Sequence, residues 1–86
     1  MLFVGRGVWR MKKYIAELTE SGLYNLVVVK EELSSTCYML NGEKVADRLI
    51  IDENGEQRIF SPRVMNYKEF DDLDECSNFI AYMNRY

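Results

Sequence analysis

The sequence predicts an α+β domain, an antiparallel β-meander of four to five strands with one C-terminal helix packed on one face. Three observations indicate this class: period-two alternation with β-branched residues, two Asn-Gly pairs between extended runs, and a helical apolar periodicity confined to the end of the chain. A chain of 86 residues has room for one core only. We therefore expect residues 11–86 to form a single domain, preceded by an N-terminal segment, residues 1–10.

The first three predicted strands cover residues 12–19, 23–31 and 35–40. Apolar and polar residues alternate through the first of them, as in a half-buried strand. Glu20–Gly22 then predicts a turn, because glycine adopts positive φ without strain. The second strand contains Val27–Val29, a β-branched run that is apolar on both faces and favours the interior of a sheet.

Two Asn-Gly pairs predict hairpins. Asn41-Gly42 and Asn54-Gly55 each lie between extended runs. Asn-Gly is the preferred pair for a two-residue type I′ turn, in which both central residues have positive φ. The two turns define the last two predicted strands, 43–52 and 56–60.

A two-residue turn at Asn54-Gly55 also predicts the register of the second hairpin. Ile50 would face Ile59, and Ile51 would face Arg58. Since side chains alternate between the two faces of a strand, Ile50 and Ile59 would share one face of the sheet and Ile51 would lie on the other.

The periodicity changes after Pro62, which cannot donate a ladder hydrogen bond and so ends the meander. Residues 63–68 are predicted to form a short link. Apolar residues then recur at three- and four-residue steps, which predicts an amphipathic helix at about residues 72–84: Leu73, Cys76, Ile80 and Met83. Asp71 is the predicted N-cap, and Asp74 at the third helical position would reach back towards it.

The predicted sheet is apolar on both faces, since Val27 and Val29 oppose Leu26 and Val28. One helix covers one face only, so the second face needs another cover. Either the N-terminal segment folds back over it, or it binds a partner protein or a second copy of the chain. A homodimer through this uncovered face is therefore one expectation.

Acidic residues are concentrated at two places in a chain that has 11 basic and 14 acidic residues and a net charge of -3. Five lie at the predicted helix start, Glu69, Asp71, Asp72, Asp74 and Glu75, and three lie at the second hairpin turn, Asp52, Glu53 and Glu56. Anions at a helix start stabilise the helix through its dipole and its free amides. The same groups would also bind an Arg- or Lys-rich surface, so these eight residues are the predicted protein-binding site.

The N-terminal segment is basic, in contrast to the rest of the chain. Arg6, Trp9 and Arg10 combine positive charge with an aromatic ring, which suits contact with phosphates and stacked bases. One interpretation is therefore a nucleic-acid-binding arm, and the other is an extra edge strand. Because the acidic remainder repels phosphates, direct nucleic-acid binding is expected only through this segment.

Residue types that carry chemistry are scarce. The chain has no His, which removes the commonest general base and metal ligand. Cys37 and Cys76 have no metal-type spacing and are expected to be buried as small apolar side chains. No apolar run is long enough for a membrane span or a signal peptide. We expect a cytoplasmic protein without catalytic activity, metal or cofactor.

These observations favour a small acidic protein-binding domain that inhibits or regulates a larger intracellular machine, such as one that handles nucleic acid. A small acidic antiparallel sheet with one covering helix is similar in size and class to short inhibitors encoded by phages and mobile elements, for example inhibitors of host defence. The alternatives are a nucleic-acid accessory domain that acts through the basic arm and a homodimeric assembly subunit.

Overall fold

A computed structural model describes residues 12–85. It contains the strands β1 (Tyr14–Leu18), β2 (Tyr24–Leu40), β3 (Glu43–Asp52), β4 (Gln57–Phe60) and β5 (Tyr67–Phe70), followed by the helix α1 (Leu73–Asn84). All strand pairs are antiparallel, and the sheet order is β4-β3-β2-β1-β5. The α+β class, with five strands and a C-terminal helix against the sheet, is confirmed.

The strand β2 corrects the prediction of two separate strands at 23–31 and 35–40. It is one strand of 17 residues. Its pairing with β3 contains two irregularities, between Val29 and Glu31 and between Glu32 and Ser34. Bulges of this kind bend a strand without ending it, so the polar residues between the two predicted strands stay in the ladder.

The strand β5 lies where a link was predicted. After β4, at one edge of the sheet, the chain crosses to the opposite edge and pairs with β1, so that Tyr14 lies between Val28 and Phe70. The sheet is therefore a meander of four strands with a fifth added by a crossover. At four residues, β5 is too short for alternation to distinguish it from a loop.

The two Asn-Gly hairpins differ. Asn41 and Gly42 both have positive φ, 53° and 84°, as the predicted two-residue turn requires. In the second hairpin the amide of Gly55 donates to the carbonyl of Asp52 at 3.0 Å, and the amide of Asp52 donates to the carbonyl of Glu56 at 2.9 Å. These bonds close a three-residue loop, in which only the last residue, Gly55, has positive φ.

The longer loop shifts the register of the second hairpin by one residue. Ile50 pairs with Arg58, and Ile59 pairs with Leu49, so the predicted Ile50–Ile59 pair was wrong. A one-residue shift moves a side chain to the opposite face. Ile50 is accordingly fully buried, whereas Ile59 is 64% exposed.

Each face of the sheet has its own packing. On one face, the Phe79 ring of α1 packs against Tyr24 and Phe70, with ring centroids 5.2 and 5.4 Å apart. On the other, a cluster of buried side chains from β1 to β4 forms the hydrophobic core: Ile15, Val27, Ile50 and Phe60.

This core corrects the expectation of an uncovered face. Val27 and Val29 lie against side chains of β3 and β4, and Met65 from the crossover packs beside them. The bent β2 brings β3 and β4 over the face that α1 leaves open. This face is therefore not empty among the described residues, and a homodimer through it stays a prediction.

The helix begins at Leu73, and its N-cap lies one residue later than predicted. Asp72 is the N-cap, and its Oδ2 accepts a hydrogen bond from the amide of Glu75 at 3.0 Å. Asp71 therefore does not cap the helix, and Asp74 occupies the second helical position. At the other end, the Asn84 amide group exchanges two hydrogen bonds with the backbone of Tyr24, which fastens α1 to the start of β2.

Candidate functional site

The structure separates the eight predicted acidic residues into two groups. Three of them hold the fold together: Asp52, Glu69 and Asp72, the helix cap. The other five are exposed carboxylates: Glu53, Glu56, Asp71, Asp74 and Glu75. Exposure alone does not separate the groups, since Asp72 is exposed as well, but its oxygen is already used by the helix.

Glu69 belongs to a buried ion-pair cluster and not to the helix start. It lies on β5, and its Oε1 accepts from Nη1 of Arg48 at 2.9 Å. Arg48 is 3% exposed and also bonds Glu32 on β2 through Nη2 and Nε, and the carbonyl of Lys12 at 3.0 Å. Burial lowers the pKa of Arg48, but the hydrogen bonds and charges of Glu32 and Glu69 outweigh it and raise that pKa above its ordinary value. The cluster ties β2, β3 and β5 together.

Asp52 is likewise structural. It is 3% exposed, and its Oδ1 accepts from the amides of Asn54 and Glu56 at 2.9 and 3.0 Å. These bonds hold the three-residue loop in shape. Arg58 lies 3.8 Å from its other oxygen and binds Glu17 on β1 at 2.7 Å. Asp52 is therefore not a surface contact residue.

The five exposed carboxylates lie towards one end of the sheet, although they come from two distant parts of the sequence. Tyr14 pairs with Phe70 on one side and Val28 on the other. Phe70 leads into Asp71, and the amide of Val28 donates to Glu53 Oε1 at 3.1 Å. The second hairpin turn and the helix start therefore flank the same row of paired residues.

We call this surface the acidic end: Glu53, Glu56, Asp71, Asp74 and Glu75. Within residues 12–85, none of these carboxylates forms an ion pair. The three arginines of the sheet region, Arg48, Arg58 and Arg63, bind other carboxylates instead. Within the part of the chain that the structure describes, the charge of the acidic end is therefore not neutralised by an ion pair.

A third set of polar residues escaped the sequence analysis. The Tyr38 hydroxyl donates to Asp47 Oδ1 at 2.6 Å, and Arg63 lies 3.3 Å from Oδ2 and stacks over the Tyr38 ring at 4.6 Å. Hydrogen bonds from Tyr38 and Ser61 lower the pKa of Asp47. The register of the first hairpin would place Tyr38 near Asp47. Nothing in the sequence indicates that Arg63 joins them, because Arg63 lies in the crossover between β4 and β5.

A groove of about 980 Å³ opens beside the Arg48 cluster. Three lysines contribute to its lining, Lys12, Lys44 and Lys68, together with smaller and apolar side chains: Ser35, Cys37, Val45, Ala46, Pro62 and Tyr67. Burial and the charge of Glu69 raise the pKa of Tyr67 to about 12. The Oγ of Ser35 is buried and has no hydrogen-bond partner within the part of the chain that the structure describes. The groove was not predicted from the sequence because its walls come from three strands, β2, β3 and β5, together with Lys12 and the crossover.

The two cysteines have different environments. Cys76 on α1 is buried, which raises the pKa of its thiol. Cys37 is exposed and lines the groove, so the expectation that both are buried was wrong for Cys37. Both are free thiols.

Three further findings bear on function. No group of three or more His, Cys, Asp or Glu side chains between Lys12 and Arg85 is arranged to hold a metal ion. The same stretch contains no helix of the length and apolarity that a membrane crossing requires. The predicted arm residues Arg6, Trp9 and Arg10 lie outside the described residues.

Comparison with known proteins gives no relative: no family model, no curated protein and no solved structure matches this chain. The candidate sites therefore depend on geometry and charge alone.

Proposed function

We propose that this chain is a non-enzymatic protein-binding domain that uses the acidic end to bind a basic surface of a partner protein. The observation that supports the proposal is the placement of five exposed carboxylates near one end of the sheet, none of which forms an ion pair with a residue between Lys12 and Arg85. Arginine and lysine side chains on a partner would supply the missing counter-charges. An inhibitor or regulator of a cytoplasmic nucleic-acid-handling machine fits this description, because such machines carry basic surfaces for phosphates.

The rigid base of the acidic end favours this function. Asp52 accepts hydrogen bonds from two backbone amides of the second hairpin loop, and Asp72 caps the first turn of α1. Glu53 and Asp74 therefore project from backbone that is already ordered. The loop and the helix of this chain would therefore lose little conformational entropy when a partner binds, which strengthens association.

The test compares double substitutions, each of which removes two negative charges. Asp74→Asn with Glu75→Gln removes two charges at the helix start, and separately Glu53→Gln with Glu56→Gln removes two charges at the second hairpin turn. Glu20→Gln with Glu43→Gln is the matched control, since both residues are exposed and lie at the other two turns of the sheet. Tagged proteins are used to capture partners from the native host at low and high salt, and affinity for the captured protein is then measured.

We expect each acidic-end pair to weaken binding about tenfold, equivalent to about 1.4 kcal/mol, and the control pair to leave it nearly unchanged. Added salt should weaken wild-type binding more than binding of the acidic-end variants. Equal affinities for all three pairs, or no captured protein at low salt, would contradict the proposal.

An alternative with some structural support is a nucleic-acid accessory role, because Lys12, Lys44 and Lys68 line the groove. It predicts that a short fluorescent single-stranded oligonucleotide binds at low salt and that Lys44→Gln with Lys68→Gln weakens that binding. Absence of binding at low salt would eliminate this alternative.

A further inference from the structure

The strand β4 lies at one edge of the sheet, where β3 is its one partner among the described residues. The amide of Asp52 donates to the carbonyl of Glu56 at 2.9 Å, so the backbone of Glu56 faces β3. In an antiparallel ladder, residues whose N–H and C=O groups face the partner strand alternate with residues whose groups face away from it. Arg58 therefore also faces β3, whereas Gln57 and Ile59 direct their backbone groups outward.

These outward groups of Gln57 and Ile59 have no hydrogen-bond partner between Lys12 and Arg85. β5, the strand at the opposite edge, pairs with β1 instead. A row of unpaired N–H and C=O groups on an edge strand is a template for pairing with another chain. The outer edge of β4 therefore has the backbone groups that a further strand requires.

Aliphatic side chains lie beside this edge. Ile59 pairs with Leu49 of β3, so their side chains share one face of the sheet. Ile51 is on that face as well, because it lies two residues from Leu49, whereas Ile50 between them points into the core. Ile59 is 64% exposed, and Leu49 and Ile51 are partly buried. An added strand would therefore gain apolar contacts on this face in addition to backbone hydrogen bonds.

Acidic residues lie at one end of the same edge. Glu56 immediately precedes β4, Glu53 belongs to the same hairpin loop, and both are exposed. The basic residue of β4, Arg58, binds Glu17 at 2.7 Å, so neither this strand nor the β4 strand of a second copy supplies the counter-charge. Ile59 lies about 10 Å from Glu56 along the strand. A complementary segment therefore carries an aliphatic residue and, at a similar distance along its backbone, a lysine or arginine.

We propose that the partner protein adds an extended segment to the outer edge of β4, with aliphatic residues beside Ile59 and a basic residue facing Glu53 and Glu56. This inference rests on the proposed function, since it concerns the same partner and two residues of the acidic end. Hydrogen bonds form at the amides and carbonyls of Gln57 and Ile59. Main-chain bonds of this kind supply affinity, while the aliphatic and basic side chains supply sequence preference.

Amide hydrogen exchange tests the edge directly. Exchange is measured by NMR in the full chain, alone and with a synthetic peptide in which valine and threonine alternate and lysines stand at one end. In the free protein, the amides of Gln57 and Ile59 should exchange about tenfold faster than those of Arg58 and Phe60. The peptide should slow the first two and leave the other two unchanged. Slow exchange of Gln57 and Ile59 in the free chain, or no effect of the peptide on their rates, would overturn the proposal.

Two substitutions at Gln57 separate the backbone from the side chain. Gln57→Pro removes an outward donor without breaking a bond to β3, whereas Gln57→Thr is the matched control that keeps the amide. Affinity for the fluorescently labelled peptide should fall about tenfold in the first and change by less than about twofold in the second. If Gln57→Pro does not fold, a peptide methylated on its central backbone nitrogens should show the same loss with the wild-type protein. Equal affinities within either comparison would refute the strand addition.

A charge variant distinguishes failure of this inference from failure of the proposed function. Glu53→Gln with Glu56→Gln should weaken binding of the lysine peptide about tenfold and have little effect on a peptide with glutamine in place of lysine. That loss, together with wild-type affinity in Gln57→Pro, would overturn the strand addition and leave the acidic end as a binding surface. The reverse result would support the strand addition and contradict the acidic end. A dimer that Gln57→Pro converts to a monomer would also overturn the inference, because a second copy would then occupy the edge.

Discussion

Arg48 provides the most direct test of the fold. The substitution Arg48→Met keeps an unbranched side chain as far as the position of Nε but removes the charged guanidinium group. It leaves Glu32 and Glu69 facing each other without a counter-ion and the carbonyl of Lys12 without its guanidinium donor. Removing one partner of a buried ion pair costs about 3–5 kcal/mol. Because the two glutamates are 20% and 29% exposed, water can still hydrate them in part, so we expect a loss of about 3 kcal/mol.

The assay is urea unfolding followed by far-UV circular dichroism. Arg63→Met is the matched control, because Arg63 also binds a carboxylate but is 58% exposed. An exposed pair of this kind contributes at most about 1 kcal/mol. In the Arg48→Met background, Glu69→Gln should recover part of the lost stability by removing one of the two unpaired charges.

Equal effects of the two arginine substitutions, or an Arg48→Met variant that loses less than about 1 kcal/mol, would show that the Arg48 cluster does not stabilise the fold as described. If Arg48→Met does not fold, Glu69→Gln alone is measured against Glu43→Gln, an exposed glutamate without an ion pair within residues 12–85. The first should be clearly destabilising and the second close to neutral.

Two further predictions follow from the helix cap and from Tyr67. Asp72→Ala should lower the free energy of unfolding by about 1 kcal/mol, whereas Asp71→Ala should change it little, and thermal unfolding that ranks them in the reverse order would contradict the cap assignment. Burial raises the pKa of Tyr67 to about 12. Between about pH 10 and about pH 12 the phenol therefore stays protonated in the folded state but is deprotonated in the unfolded state. The free energy of unfolding accordingly falls as the pH rises through this range. Tyr67→Phe should flatten this fall in urea midpoints measured across that range, and identical slopes for both proteins would show that Tyr67 does not contribute.

Local signals account for the elements that were predicted well. The helix is marked by its apolar periodicity and by acidic residues at its start, and Asn41-Gly42 has both residues in the positive-φ conformation that the turn requires. The prediction of a two-residue turn at Asn54-Gly55 was wrong because of a side chain. Asp52 accepts two amide hydrogen bonds and stabilises a loop that is one residue longer. The identical dipeptide therefore forms different turns, and the side chain two positions before Asn54 accounts for the difference.

The remaining errors came from long-range pairing. β5 exists because β1 has a free edge for it, and the sequence of β5 alone does not show this. Glu69 follows the same logic: in the sequence it looks like one of five acids at a helix start, but pairing with β1 places it beside Arg48 from β3. The acidic end was predictable as two patches, but their proximity depends on Tyr14 being the common partner of Phe70 and Val28.

The single long strand β2 has a consequence for how the molecule opens. Its first part, up to Val28, is held between β1 and α1, while its last part pairs with β3 alone among the described residues. Opening of the tip around Asn41 would break few buried contacts, whereas opening at Val27 requires disruption of the core. Amide hydrogen exchange should therefore decrease along one continuous strand, from fast at Met39 to slow at Val27, with the bulges marking the boundary between local and global unfolding.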